Sequence, residues 1–181
     1  MCYIFTSERL GFRTWSQNDL EPFATLNADE EVMRYFPSTL TSQETASLME
    51  RIDKHFEEYG YGFYAVDYLP ENKFIGFIGL SHPSFESDFT PCVEIGWRLD
   101  KDYWNLGLAT EGAQRCLEFA QQELKLAEIC AFTIPENLAS QRVMQKIGMQ
   151  FAGNFNHPRF EEDSPFSKHV LYNIGSTFIN K

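Results

Sequence analysis

The run Tyr103-Trp104-Asn105-Leu106-Gly107-Leu108-Ala109-Thr110-Glu111 stands between an apolar strand pattern and an amphipathic helix pattern. A helix N-terminus carries backbone N–H groups without intrahelical partners and the positive end of the helix dipole. A tight, small-residue turn leading into one therefore suits a pyrophosphate. Gly107 and Ala109 leave room for the backbone to approach such an anion. Alone, a Gly-x-Ala turn is a weak signal. A dinucleotide fingerprint needs a third glycine and a nucleoside-triphosphate loop needs Gly-Lys-Ser/Thr at its end, and this run has neither.

Its neighbours narrow the reading. Before it lies the strand pattern Val93-Glu94-Ile95-Gly96-Trp97-Arg98-Leu99. After the following helix comes Asn137-Leu138-Ala139-Ser140-Gln141-Arg142-Val143-Met144-Gln145-Lys146-Ile147-Gly148-Met149. Together these segments resemble the GNAT superfamily of acyl-CoA-dependent N-acetyltransferases. Gly107 and Ala109 match the family's pyrophosphate loop, Asn137 and Ser140 its second helix, and Lys146 and Gly148 that helix's close. The opening Glu8-Arg9-Leu10-Gly11-Phe12-Arg13 and Trp104 look like the branch of ribosomal-protein N-terminal (alanine/serine) acetyltransferases.

The resemblance implies acetyl-CoA as donor, held by Trp104, Asn105, Leu106, Gly107, Leu108, Ala109 and Thr110 at the loop and by Asn137, Ser140 and Arg142 on the second helix. It also implies that two central strands splay apart after a bulge, and that the pantetheine arm pairs there with backbone groups of Trp97 and Leu99. Two positions depart from the pattern. Leu106 stands where a basic residue is common, so one phosphate charge is met by amides alone or from elsewhere, Arg142 and Lys146 being candidates. Met144 stands where many relatives carry a catalytic tyrosine.

Length and composition fit one domain spanning 1–181. The chain has 181 residues, of which 43% are hydrophobic and 15% aromatic, enough to bury a substantial core. No stretch approaches about 18 consecutive apolar residues, and the N-terminus has no leader pattern, so a cytoplasmic protein is expected. Cys2, Cys92, Cys116 and Cys130 show no C-x-x-C spacing, and the four histidines form no ligand pair. No metal is expected. The net charge of −11 argues against nucleic acid and anionic membranes and favours a cationic partner or simple solubility. A monomer or homodimer is compatible with all of this.

Along the chain, Arg9 to Trp15 reads as a strand, and Ser16 to Asp19 has capping-box spacing. Asn27 to Tyr35 reads as a short helix. Thr41 and Glu44 cap a longer helix whose Leu48, Ile52, Phe56 and Tyr59 share a face, closed by Gly60. Gly62–Tyr68 and Lys73–Ser81 form a hairpin, the second member apolar on both faces and so central. Ala109, Ala113, Cys116, Leu117, Ala120 and Leu124 trace a helical stripe. Glu128–Ile134, Met149–Asn156 and Phe166–Ile174 complete the strands. Antiparallel hairpins followed by alternating strands and helices give an α/β class with a mixed, mostly antiparallel central sheet flanked by helices.

Acetyl transfer to an amine needs a neutral nucleophile, a polarised carbonyl and a leaving thiolate, with orientation supplying much of the rate. Glu94 is the first candidate for general base, since alternation sets it opposite Trp97 and Leu99 among apolar residues; the alternative is a structural pairing with Arg98 or Arg13. Glu161, Glu162 and Asp163 are runners-up. Ser140 is suited to meet the departing sulfur, or else serves only the helix start. A backbone N–H near Gly96–Arg98 suits the oxyanion. Cys92 and Cys116 are disfavoured as nucleophiles, and the resemblance sets both away from the thioester. An α-amine acceptor is favoured because its pKa of about 7.7 to 8.0 leaves far more neutral amine than lysine's. Polyamines, aminoglycosides and amino acids also suit, and a non-catalytic acyl-CoA sensor is the reading from another class.

Overall fold

In the computed structural model, which describes residues 2–175, eight strands form one sheet. In chain order the elements are β1 (Phe5–Thr6), β2 (Leu10–Arg13), α1 (Leu20–Ala28), α2 (Ser42–Tyr59), β3 (Phe63–Tyr68), β4 (Lys73–Ser81), β5 (Glu94–Leu99), α3 (Leu108–Gln122), β6 (Ile129–Thr133), α4 (Leu138–Lys146), β7 (Gln150–Asn156) and β8 (Lys168–Ile174). Their order across the sheet is β1-β2-β3-β4-β5-β6-β8-β7. All neighbours pair antiparallel except β5 and β6, which run parallel.

Local chemistry accounts for the element ends. Thr41 accepts from the Glu44 N–H while the Glu44 carboxylate accepts from the Thr41 N–H at 2.8 Å, and Gly60 closes α2 at φ 75°. The expected helix over 27–35 does not form. Asn27 belongs to the last turn of α1, and the Asp29 carboxylate accepts from the N–H groups of Glu31 and Val32, an Asx turn that competes with a helical start. The two-residue β1 is too short to show a period and was not expected.

Alternation along the central strands divides the core between two faces. Ile78 and Leu80 of β4 stand beside Trp97 and Ile95 of β5 and pack under α3 with Leu108, Ala113, Cys116 and Leu117. Each such buried aliphatic side chain is worth about 1.5–3 kcal/mol. Gly112 lets α3 lie close, since a Cβ there would collide with Ile78 and Leu10. On the other face Phe77 joins Phe23, Leu26, Val32 and Met49 beneath α1 and α2.

The parallel pair decides the site. β5 and β6 share a single registered position, Glu94↔Cys130, with the Cys130 N–H donating to Val93 O at 2.8 Å. Beyond it they diverge. The splay agrees with expectation but its cause does not: β5 keeps unbroken register with β4 from Gly76↔Leu99 to Ser81↔Glu94, so β5 contains no bulge. Divergence of β6 alone exposes the edge.

Candidate active site

Backbone groups alternate sides along a strand. Since Val93 O points to β6, the groups of Ile95, Trp97 and Leu99 point into the gap, while those of Gly96 and Arg98 point to β4. Trp97 N–H is therefore the β5 donor available to an oxyanion. The Leu99 carbonyl already accepts from the Trp104 indole N–H at 2.9 Å, which leaves its N–H for an extended ligand.

At the end of β5 the chain turns through Asn105 at φ 61° and Gly107 at φ 80°, and Gly107 starts α3. Asn105 and Leu106 are exposed, and Ala109 and Thr110 half-buried. The Leu108 side chain is core, so only its backbone N–H faces the turn. A cation stands beside this loop. Arg9, just before β2, donates from Nη1 to Leu106 O at 3.1 Å and from Nε to Glu111 at 2.7 Å. Glu111, in the first turn of α3, also accepts from Ser7 Oγ and the Arg9 N–H. These bonds outweigh burial and hold the Glu111 carboxyl below its ordinary pKa. Arg9 and Glu111 were both visible in quoted motifs, but nothing local ties residues so far apart. Arg142 and Lys146 are exposed on α4 and form no ion pair among the described residues.

On the α3 side of the gap, Asn137 caps α4 by accepting from the Ser140 N–H at 3.2 Å, and its amide donates to Thr133 Oγ1. The Trp97 indole N–H donates to Ser140 Oγ at 3.2 Å. Because indole only donates, Ser140 is fixed as acceptor and keeps its own O–H free. Met144 is buried in the core at 2% exposure.

On the opposite face stand Glu94, Gly96 and Arg98. Glu94 is half-buried and touches Ser81 Oγ only at 3.5 Å. Burial pushes its carboxyl up to about 8, opposed by the Ser81 hydroxyl and the Arg159 charge. Neither alternative partner engages it. Arg13 is taken by Asp19 at 2.6 Å and Asp67 at 2.7 Å, and Arg98 donates to Asn27 Oδ1 at 2.6 Å. Burial pulls the Arg98 guanidinium down to about 10, still a cation at neutral pH.

Beyond Cys130, β6 presents Phe132 on the Glu94 face. Phe85, Phe89, Phe155 and His157 pack around it, with burial lowering His157 to about 4 and leaving it neutral. A cavity of about 590 Å³ opens between Arg34 and Tyr35 on one side and Ile134–Glu136 and residues 162–166 on the other. Glu162 and Asp163 line it; Glu161 does not. Tyr35, Arg34 and Glu136 were not singled out from sequence. Cys116 is fully buried with its thiol pushed up to about 12. Cys92 Sγ lies 2.8 Å from that of Cys130, the residue registered with Glu94. No group of three or more His, Cys, Asp or Glu among the described residues is disposed to hold a metal, and no described helix is long and apolar enough to cross a membrane.

Comparison with known proteins bears directly on this arrangement. The family model described as an acetyltransferase (GNAT) domain matches residues 9–150. An uncharacterized N-acetyltransferase of Bacillus subtilis, YnaD, is 33% identical over 150 residues, covering 83% of this chain and 84% of that protein. The crystal structure of a GNAT-family acetyltransferase from Bacillus anthracis superposes with TM-score 0.76 at 30% identity, covering 93% and 96% of the two chains. At 16% and 19% identity the fold is shared with RimL, a ribosomal L7/L12 alpha-N-protein acetyltransferase in complex with coenzyme A, and with spermidine N-acetyltransferase from Vibrio cholerae. Their TM-scores are 0.75 and 0.71, with at least 95% of each chain covered. A positive-φ glycine turn opening α3, a split between parallel strands and these matches across most of the chain make the protein a member of the GNAT family and an acetyl-CoA-dependent N-acetyltransferase.

Proposed function

We propose that the whole chain, 1–181, acts as one domain that acetylates the α-amine of a peptide or protein N-terminus, such as that of a ribosomal protein, by direct attack in a ternary complex. The observation that carries this reading is the gap between β5 and β6, with Ser140 on one side and Glu94 on the other. The pyrophosphate lies against the amides of 107–110, and pantetheine pairs with Trp97 and Leu99. Glu94 takes the proton of the attacking amine, Trp97 N–H meets the oxyanion, and the Ser140 hydroxyl donates to the departing thiolate. Arg142 helps bind the nucleotide end. An aromatic-walled cleft and an α-amine that titrates near neutrality both fit an acceptor of this kind. Four free cysteines fit a cytoplasmic setting.

A small cationic amine is the second reading, favoured by Glu136, Glu162 and Asp163, which outnumber the cations Arg34 and Lys168 at the cavity, and by the fold shared with the spermidine enzyme. The test is acetyl-CoA-dependent thiol release against N-terminal peptides, polyamines, aminoglycosides and amino acids, with the product weighed by mass spectrometry. Mass gain at a peptide α-amine is the expected outcome. Release only with polyamines or aminoglycosides transfers the assignment to the second reading.

A further inference from the structure

Cross-strand neighbours on the acceptor face form three rows: Ser81 beside Glu94, Gly79 beside Gly96, and Phe77 beside Arg98. The middle row has no side chain from β4 or β5, but Phe63 of β3 is registered beside Gly79 and its ring reaches Gly96, so an apolar ring lies between Glu94 and Arg98. A Cβ on Gly96 would stand 3.1 Å from that ring. The tract thus has a carboxyl at one end and a guanidinium at the other.

The guanidinium lacks a counter-charge. Nη1 donates to the neutral amide of Asn27, and Nε is buried with no hydrogen-bond partner. The rings of Phe36 and Phe77 flank it, with centroids 4.3 and 5.5 Å from Cζ. No carboxylate pairs with it among the described residues. The buried Arg13 shows what a satisfied arginine looks like in the same fold, held by Asp19 and Asp67 through two bonds each. A desolvated guanidinium with an open donor is costly unless a carboxylate completes it, and its planar fork matches one. Phe36, whose ring stacks on it, is 40% exposed and follows Tyr35, which lines the cavity, so one partly exposed ring connects the guanidinium to that cavity's wall.

We infer that the acceptor carries a carboxylate as well as an amine, and that Arg98 is the residue that selects it while the amine faces Glu94. This rests on the acetyl-transfer reading above and names the class of acceptor that the same site takes. An acidic side chain near a peptide N-terminus supplies such a group, as does a free amino acid. The shared chemistry is an amine joined to a carboxylate across a span shorter than the four residue steps of strand from Glu94 to Arg98, roughly 13 Å. A polyamine lacks the anion.

The experiment compares matched acceptors by kcat/KM. The peptides Ser-Glu-Ala-Ala and Ser-Gln-Ala-Ala, both C-terminally amidated, form one pair, and free glutamate with its diamide forms the other. The wild type is expected to prefer the carboxylate member at least tenfold in whichever pair it acetylates, which also identifies the source. Arg98→Gln should bring that ratio near one, and Arg98→Lys should restore part of it, with KM for acetyl-CoA unchanged in both. A wild-type ratio near one overturns the inference without any variant, as does turnover confined to polyamines. A ratio that survives in Arg98→Gln while the melting temperature falls assigns Arg98 to stacking alone and removes it from selection. Absence of thiol release with every amine, acetyl-CoA binding intact, instead overturns the transfer reading beneath it.

Discussion

Ser140 and Glu94 are the two side chains to which the proposed mechanism gives the proton transfers, and their environments differ in kind. Ser140 is held by a donor-only indole, so its hydroxyl hydrogen is free to follow the sulfur. A thiolate of ordinary pKa leaves tolerably without help, so Ser140→Ala should lower kcat by about ten- to hundredfold, at the low end of general-acid effects. KM for acetyl-CoA should stay within about twofold. Stopped-assay thiol release measures both, and an unchanged kcat would remove Ser140 from the mechanism. Glu94 is raised by burial to about 8, which puts it close to an α-amine. kcat/KM should therefore rise with pH through about 8. Glu94→Gln should lose most above that pH, where the wild-type carboxylate is ionised, and least below it, where the wild type is itself protonated; a loss equal at every pH would exclude the base role. The sequence alone singled out both residues. It could not decide whether Glu94 was paired, because that depends on where Arg13 and Arg98 go.

Among the elements, the turn into α3 and the strand before it work as a unit. Gly107 adopts a conformation that side chains resist, while Arg9 ties Leu106 to Glu111 across the start of β2. Arg9 is partly exposed, so solvent screens part of its charge. Arg9→Met should still loosen the loop and raise the dissociation constant for acetyl-CoA by about tenfold, equivalent to 1.4 kcal/mol. Titration calorimetry tests this, and unchanged affinity would make the Arg9–Glu111 pair purely a matter of folding. The turn, the cap of α4 and the hairpin of β3 and β4 were legible because glycine, asparagine and apolar periodicity act locally. The segment 29–35 was misread because Asp29 suits an Asx turn as well as a helix start, and its pairing with Lys101 at 2.6 Å is remote in sequence.

For the whole molecule, two carboxyls whose pKa values the fold shifts in opposite directions give opposite pH dependences. Asp19 is held below its ordinary pKa: burial opposes ionisation, but Arg13 and Ser16 outweigh it. Its folded value lies below its unfolded one, so its stabilisation is present above pH 3.8 and is lost as pH falls through the lowered value. Glu94 has the reverse sign. The folded state keeps the proton that the unfolded state releases, so stability declines as pH rises from about 4.5 to about 8. Thermal midpoints across pH 2–9 should peak between the two regimes, and Glu94→Gln should flatten the upper decline while leaving the acid limb intact. A decline that persists in the variant would show that Glu94 is not its source. At this scale sequence and structure divide the credit along a physical line. Periodicity, caps and the glycine turn act over a few residues, and they determined the α/β class, the strands flanking the gap, the turn into α3 proposed to hold phosphate and the candidates Glu94 and Ser140. The tertiary structure decided what depends on distant segments meeting. It removed the bulge from β5, set Arg9 beside Glu111, joined Trp97 to Ser140, and left Arg98 between the rings of Phe36 and Phe77 without a carboxylate. Such pairings have no sequence period, because the sheet brings their members together only when it closes.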